Sequence, residues 1–251
     1  MPNSTTRFSD RVENYVKYRP GYPAEIIDYL KSEGILKPES IIADIGSGTG
    51  ISAELFLKNG NTVYAVEPND AMREAAEKLL SGYGNFKSID AFAEDTTLPD
   101  RSIDLITCAQ AFHWFNIPKA KTEFNRILKS GGRICLMWNE RILDGNPFLI
   151  EYEKLLIKYG TDYSTVRHEN IDENRLKEFF TNGYITRSFP NKQVFDLEGV
   201  TGRLLSSSYT PQYDSPLYKP MLAGLNEIFE KNQINGKIEF LYETNVYTSI
   251  R

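Results

Sequence analysis

The chain has 251 residues, 41% hydrophobic and 25% charged, with 29 Lys and Arg against 34 Asp and Glu for a net charge of −5. That balance describes a globular chain with ample core and speaks against broad contact with nucleic acid, which needs clustered Lys and Arg, so a small-molecule partner is the better expectation. No apolar run approaches the ~20 residues of a membrane helix, and residues 1–22 are too polar for a secretory leader, so a cytoplasmic location is expected.

The segment Phe8 to Pro23 (FSDRVENYVKYRPGYP) is dense in aromatic and charged residues and ends in a Pro-Gly-Tyr-Pro turn. A helix is predicted over Ala24 to Ser32, then a short buried strand, Ser40 to Ile45, running into a glycine-rich stretch. Helix Ile51 to Lys58 stops at Asn59-Gly60, residues typical of a helix C-terminus. The alternation repeats through strand Thr62 to Val66, helix Ala71 to Leu80 and strand Phe86 to Asp90. Strand Ile103 to Cys108, helix Lys119 to Leu128, a turn at Gly131-Gly132 and strand Arg133 to Trp138 complete it. Five apolar strands separated by helices predict an α/β fold with a doubly wound, mostly parallel Rossmann-like sheet, whose ligand crevice lies at the strand C-terminal ends. Cys108 and Cys135 fall inside two of these strands as small hydrophobes. With only two histidines, His113 and His168, no metal site is expected.

Beyond residue 140 the alternation weakens. Helical patterns appear near Phe148 to Tyr159, Glu173 to Phe180 and Leu217 to Lys231, with extended stretches over Gly183 to Phe195 and Lys237 to Ile250. Residues 1–140 are read as a ligand-binding core with an N-terminal lid, and residues 141–251 as completion of the sheet plus a partly helical cap, together one continuous domain.

The loop Asp44-Ile45-Gly46-Ser47-Gly48-Thr49-Gly50 joins a strand to a helix, so a ligand can approach its backbone closely. A dinucleotide fingerprint requires Gly or Ala three residues past Gly48, and Ile51 stands there instead. Asp44 disfavours a pyrophosphate at the helix N-terminus and favours an amino group. Glu67 ends the second strand, about 20 residues past Gly46, where an acidic side chain commonly takes ribose hydroxyls. A ligand with a ribose, an amino-acid head and no phosphate satisfies all three features.

The run ADIGSGTG, Glu67, Ala93-Glu94 ahead of Leu98-Pro99, and ILKSGGRICL (Ile127 to Leu136) together resemble the class I S-adenosylmethionine-dependent methyltransferases. The likeness is closest to their small-molecule branch, which includes trans-aconitate methyltransferase, through YRPGYP and through AQAFHWF (Ala109 to Phe115). It covers roughly residues 8 to 140. It implies that Gly46, Ser47 and Gly48 lie under the methionine part of S-adenosyl-L-methionine, that Asp44 helps hold its amino group, and that Glu67 binds its ribose hydroxyls. It further implies that Ala93 and an acidic neighbour grip adenine, that the backbone at Gln110 faces the methionine, and that Arg19 belongs to a segment folded over the cofactor, where its guanidinium either pairs with the methionine carboxylate or forms a surface salt bridge. The common Gly-Asp-Ala order before the adenine contact is replaced by Ala91-Phe92-Ala93, so Glu94 or Asp95 stands in for the missing Asp.

Methyl transfer is an in-line displacement in which the protein mainly positions the reactants. His113, after strand four, is a candidate for positioning the acceptor, for removing its proton, or for neither. Trp114 is a candidate pocket wall. Tyr15, Tyr18, Tyr22 and Phe8 form either an aromatic lid over a sulfonium or the ordinary packing of an N-terminal helix. Arg141 and Arg203 are candidates for holding an anionic acceptor, although a solvated surface position is the simpler explanation for each. His168 is assigned no function. The acceptor expected is a small molecule offering a carboxylate or hydroxyl oxygen. An NAD(P)-dependent oxidoreductase, a methyltransferase of RNA or protein, and a non-catalytic binding module are the alternatives.

Overall fold

The computed structural model describes residues 12–163 and 173–250; Phe8 and His168 lie outside them. Helices α1 (Val12–Tyr18) and α2 (Glu25–Ser32) lead into β1 (Ile41–Ile45), α3 (Ile51–Lys58), β2 (Thr62–Val66), α4 (Asp70–Leu79) and β3 (Phe86–Ile89). Then come β4 (Ile103–Ala109), a single 3-10 turn over Phe112–Trp114, α5 (Ile117–Ile127), β5 (Leu128–Arg141) and α6 (Pro147–Tyr159). The chain finishes with α7 (Glu173–Phe179), β6 (Tyr184–Phe195), α8 (Leu197–Leu205), α9 (Tyr218–Asn232) and β7 (Ile238–Ser249).

The strands form one sheet in the order β3-β2-β1-β4-β5-β7-β6. The first five are parallel, β7 runs antiparallel to β5, and β6 antiparallel to β7. The order reverses direction between β1 and β4, and that switch opens a crevice past the strand C-terminal ends. Pro190 sits in β6, at the sheet edge, where a missing N–H interrupts no interior ladder.

Both faces of the parallel strands are covered, which is why they read as continuous apolar runs. Ala43, Ile106 and Leu136 point to one face, against Phe124 of α5 and Phe179 of α7. Their neighbours Ile42, Leu105 and Cys135 point to the other, against Ile26 of α2 and Phe56 of α3. A third cluster, Phe148, Tyr152, Val200, Leu204, Leu225, Phe240 and Tyr242, joins α6, α8 and α9 to β7. It forms a cap beside the crevice.

Two departures from the sequence expectations shape the site. Gly131-Gly132 is no turn between separate elements: β5 starts directly at Leu128, absorbs the pair as a register shift opposite Ile103 and Leu105, and continues to Arg141. Its last residues, Asn139 to Arg141, pair with Thr244 to Tyr242 of β7 and so reach beyond the parallel strands into the crevice. The second is α8, a helix absent from the expectations, started by the Asp196 side chain accepting from the Gly199 N–H at 2.8 Å.

Candidate active site

A cavity of about 550 Å³ occupies the crevice. Its floor is the loop between β1 and α3. Gly48 adopts φ +55°, and a Cβ there would meet nothing within 4 Å, so the loop leaves open space at this point. The Ser47 and Thr49 hydroxyls are buried and have no hydrogen-bond partner among the described residues. Glu67, at the end of β2, accepts the Gly48 N–H through Oε2 and the Asn69 N–H through Oε1, both at 2.9 Å. Burial raises its pKa, opposed by those two N–H groups. The carboxylate is thus fixed at the cavity edge with its outer lone pairs available.

Asp44 departs from the expectation that it meets an amino group. It is fully buried and does not line the cavity; its oxygens accept from Ser52 Oγ at 2.6 Å and Thr107 Oγ1 at 2.9 Å. Both carboxylate oxygens are committed to tying the loop to α3 and β4, so its role is to hold the loop rather than to contact a ligand.

Past β3, Ala93 and Glu94 line the cavity, and the exposed Phe92 ring stands with them. Glu94 Oε1 accepts the Asn116 N–H at 2.6 Å, so this residue also steadies the start of α5. Asp95 does not line the cavity. Gln110, just past β4, has φ +55°, a strained value for a residue with a side chain, and donates from Nε2 to the Asn139 carbonyl at 2.9 Å. His113 and Trp114 follow, their ring centroids 4.6 Å apart, and the Trp138 ring centroid lies 5.3 Å from that of His113. All four rim residues face the same space.

The roof is the N-terminal segment. Tyr15, Arg19, Pro20 and Tyr22 line the cavity, whereas Tyr18 turns away from it and packs against α8. The expected contact of Tyr18 with a ligand is therefore not made: a Cβ on Gly202 would lie 1.9 Å from the Tyr18 ring, so the two surfaces are in full contact. Tyr18 also donates to Glu198 at 3.1 Å. The Gly21 carbonyl accepts from Asn139 and Asn191 at 3.1 and 2.8 Å, and Gln193 donates to the Tyr18 carbonyl at 3.2 Å. These bonds strap the roof to β5 and β6.

Of the far wall, only the two arginines were candidates from the sequence. Arg141 lines the cavity, but its Nη2 is paired with Glu153 and donates to Tyr163 Oη at 2.8 Å. Arg203 is buried, not solvated: Nε donates to Tyr242 Oη at 3.0 Å and Nη1 to Ser207 Oγ at 3.0 Å. Tyr163, Ser208, Tyr209 and Tyr242 complete this wall, none of them anticipated. Their convergence depends on β7, α8 and α6 meeting in space, and no local spacing announces it. Among the described residues no helix is long and apolar enough to cross a membrane.

The sheet order, the glycine loop at the switch point and the acidic residue ending β2 define the class of α/β proteins that bind a nucleoside-bearing ligand across the strand ends. Residues 43–136 match a family described as a methyltransferase domain. An uncharacterized methyltransferase of Bacillus subtilis, YcgJ, is 30% identical over 176 residues, 69% of this chain and 68% of that protein. An uncharacterized methyltransferase-like protein of Schizosaccharomyces pombe is 33% identical over 156 residues, 62% of this chain and 59% of its own. The chain therefore belongs to the methyltransferase family. It spans between about half and two thirds of the length of the curated relatives it matches. Among solved structures, a proposed type II methyltransferase from Anaeromyxobacter dehalogenans shares the fold with a TM-score of 0.68 at 17% identity, over 92% of this chain and 97% of that one.

Proposed function

We propose that the protein is an S-adenosyl-L-methionine-dependent methyltransferase of the small-molecule branch that resembles trans-aconitate methyltransferase, acting on a carboxylate or hydroxyl oxygen. The observation that carries this reading is the roofed cavity, which runs from the glycine loop and Glu67, past His113 and Trp114, to a wall of arginines and tyrosines. The cradle fits the methyl donor: Gly48 leaves room over the loop, two buried hydroxyls wait for partners, and Glu67 is held ready for ribose hydroxyls.

Glu67 binds the ribose, Gly46, Ser47 and Gly48 support the methionine part, and Ala93, Glu94 and the Phe92 ring flank the adenine. Arg19, whose Nη2 is anchored on the Ser206 carbonyl at 2.9 Å, keeps a buried Nε without a partner among the described residues and suits the donor's carboxylate. Gln110 presents its strained backbone toward the same end. When bound, the sulfonium supplies both the activated methyl and the leaving group. The chain contributes orientation and exclusion of water, through the roof formed by Tyr15, Pro20 and Tyr22. His113, with two indole rings beside it, orients the acceptor oxygen and takes its proton where that oxygen is a hydroxyl; a carboxylate needs no base. The roof that Tyr15, Arg19, Pro20 and Tyr22 put over the cavity favours a small acceptor over RNA or protein.

Calorimetric titration with S-adenosylhomocysteine and with NAD, followed by a screen of small acids, phenols and amines for S-adenosylhomocysteine release, tests the reading. Binding of S-adenosylhomocysteine and turnover of a small acceptor are expected. Binding of NAD alone makes the protein an oxidoreductase, and turnover only with RNA or protein moves it to the macromolecular branch.

A further inference from the structure

Three arginines line the cavity, in a chain whose net charge is −5. Their counter-charges are unequal. Arg141 is paired with Glu153. Arg19 and Arg203 pair with no carboxylate among the described residues, and the two guanidinium groups lie close enough to depress the pKa of Arg19, after burial itself. The carboxylates that share the cavity are engaged elsewhere: Glu67 on the glycine loop, Glu94 on Asn116, and Glu140 toward Asn245. Two buried like charges without a counterion are costly, and the cost is offset when anions enter.

Arg203 is also built rather than incidental. Tyr242 and Ser207 hold its Nε and Nη1, Tyr242 is itself bonded to Gln193 at 3.1 Å, and the guanidinium lies 5.6 Å from the Phe240 ring centroid. Nη2 makes no hydrogen bond among the described residues. A planar guanidinium fixed along one edge presents its remaining N–H groups in one direction, the arrangement that selects a planar or tetrahedral oxyanion.

We infer that Arg203 is the specificity-determining residue of the acceptor half of the cavity, and that the acceptor carries an anionic oxygen group, a carboxylate or a phosphate, which Arg203 anchors. The inference rests on the methyltransferase reading above. Arg19 serves the donor's carboxylate and Arg203 the acceptor's anion, so both uncompensated charges are neutralised only in the ternary complex. The Arg141–Glu153 pair, already neutral, bounds the site without drawing a second anion.

The test uses the full chain with S-adenosylhomocysteine bound, titrated calorimetrically with glutarate, phenyl phosphate and the neutral glutaramide. One of the two anions is expected to bind at least tenfold more tightly than glutaramide, and which one identifies the acceptor group. Arg203→Met should abolish that preference, Arg203→Lys should restore part of it, and Tyr242→Phe, which only releases one edge of the guanidinium, should weaken it severalfold. Because Arg203 is buried, S-adenosylhomocysteine binding by each variant serves as the check of folding. If the wild type binds S-adenosylhomocysteine but neither anion better than glutaramide, or if Arg203→Met keeps the preference, this inference falls and the methyltransferase reading stands. If S-adenosylhomocysteine itself does not bind, that reading falls first.

Discussion

Asp44 sits in the glycine-rich motif yet touches no cavity, and its burial has a consequence for stability. Removal from water lifts its carboxyl to about 6, against the hydrogen bonds from Ser52 and Thr107 that favour the ionised form. The folded state therefore holds this proton more tightly than the unfolded chain. Its stabilising contribution is fully present below the unfolded value near pH 4 and is lost as pH rises through about 6. The difference amounts to about 3 kcal/mol at neutral pH. Asp44→Asn removes the charge and keeps the shape, so the melting temperature of the variant relative to wild type should climb between pH 4.5 and 7. A difference that stays flat over that range would show that Asp44 titrates normally. Gly48 and Glu67 line the cavity instead, where the proposed reading places the donor. Gly48→Leu should abolish S-adenosylhomocysteine binding, because its side chain enters the open space above the loop at a left-handed φ. Glu67→Ala should weaken binding by about 1–3 kcal/mol, the value of charge-assisted hydrogen bonds. Calorimetry on both variants checks the pair, and unchanged affinity in both would remove the loop from the site.

At the scale of elements, the roof depends on how α1 docks on α8. The Lys17–Glu198 ion pair at 2.8 Å is solvent-exposed on both sides, and such pairs contribute little. The contact of Tyr18 with Gly202 is the stronger device, because the ring lies where a Cβ would have to be. Gly202→Ala forces the two helices apart, an overpacking cost of about 1–3 kcal/mol. Since α1 leads directly into Arg19, Pro20 and Tyr22, the same change should lift the roof: S-adenosylhomocysteine affinity should fall and proteolytic cleavage near residues 12–22 should quicken. Lys17→Ala should alter neither. Equal behaviour of the two variants would mean that docking of α1 does not close the cavity. Gly202 also explains why α8 escaped prediction. Leu197, Val200 and Leu204 have helical spacing after the Asp196 cap, but two glycines inside the span lower its intrinsic propensity, and the reason for Gly202 is a tyrosine far away in sequence.

For the whole molecule, the sequence was most readable where the physics is local. The parallel strands are buried on both faces, so their apolar runs stand out, and the loop and Glu67 follow from strand ends joined in register. Arg203 shows the opposite case. A lone arginine in a short stretch with two glycines reads as surface, and only the tertiary meeting of α8 with Tyr242 of β7 buries it. Asp44 was misplaced for a related reason: which of two acidic residues near a loop faces the ligand depends on partners in other elements, here Ser52 and Thr107. The folded whole also sets the size of the response to ligand. S-adenosylhomocysteine at 100 times its dissociation constant, binding only the native state, adds about 2.7 kcal/mol of stability. For a domain of this length each kcal/mol moves the melting temperature by roughly 2–4 °C, so a rise of roughly 5–11 °C is expected. Because the residues to which the proposed reading assigns the donor follow β1, β2 and β4 or lie in the N-terminal roof, that rise should appear in one cooperative transition. NAD at the same concentration should leave it in place. A two-step melt in which only residues 12–22 are protected would mean that the ligand is held by the roof alone and that the glycine loop is not its cradle.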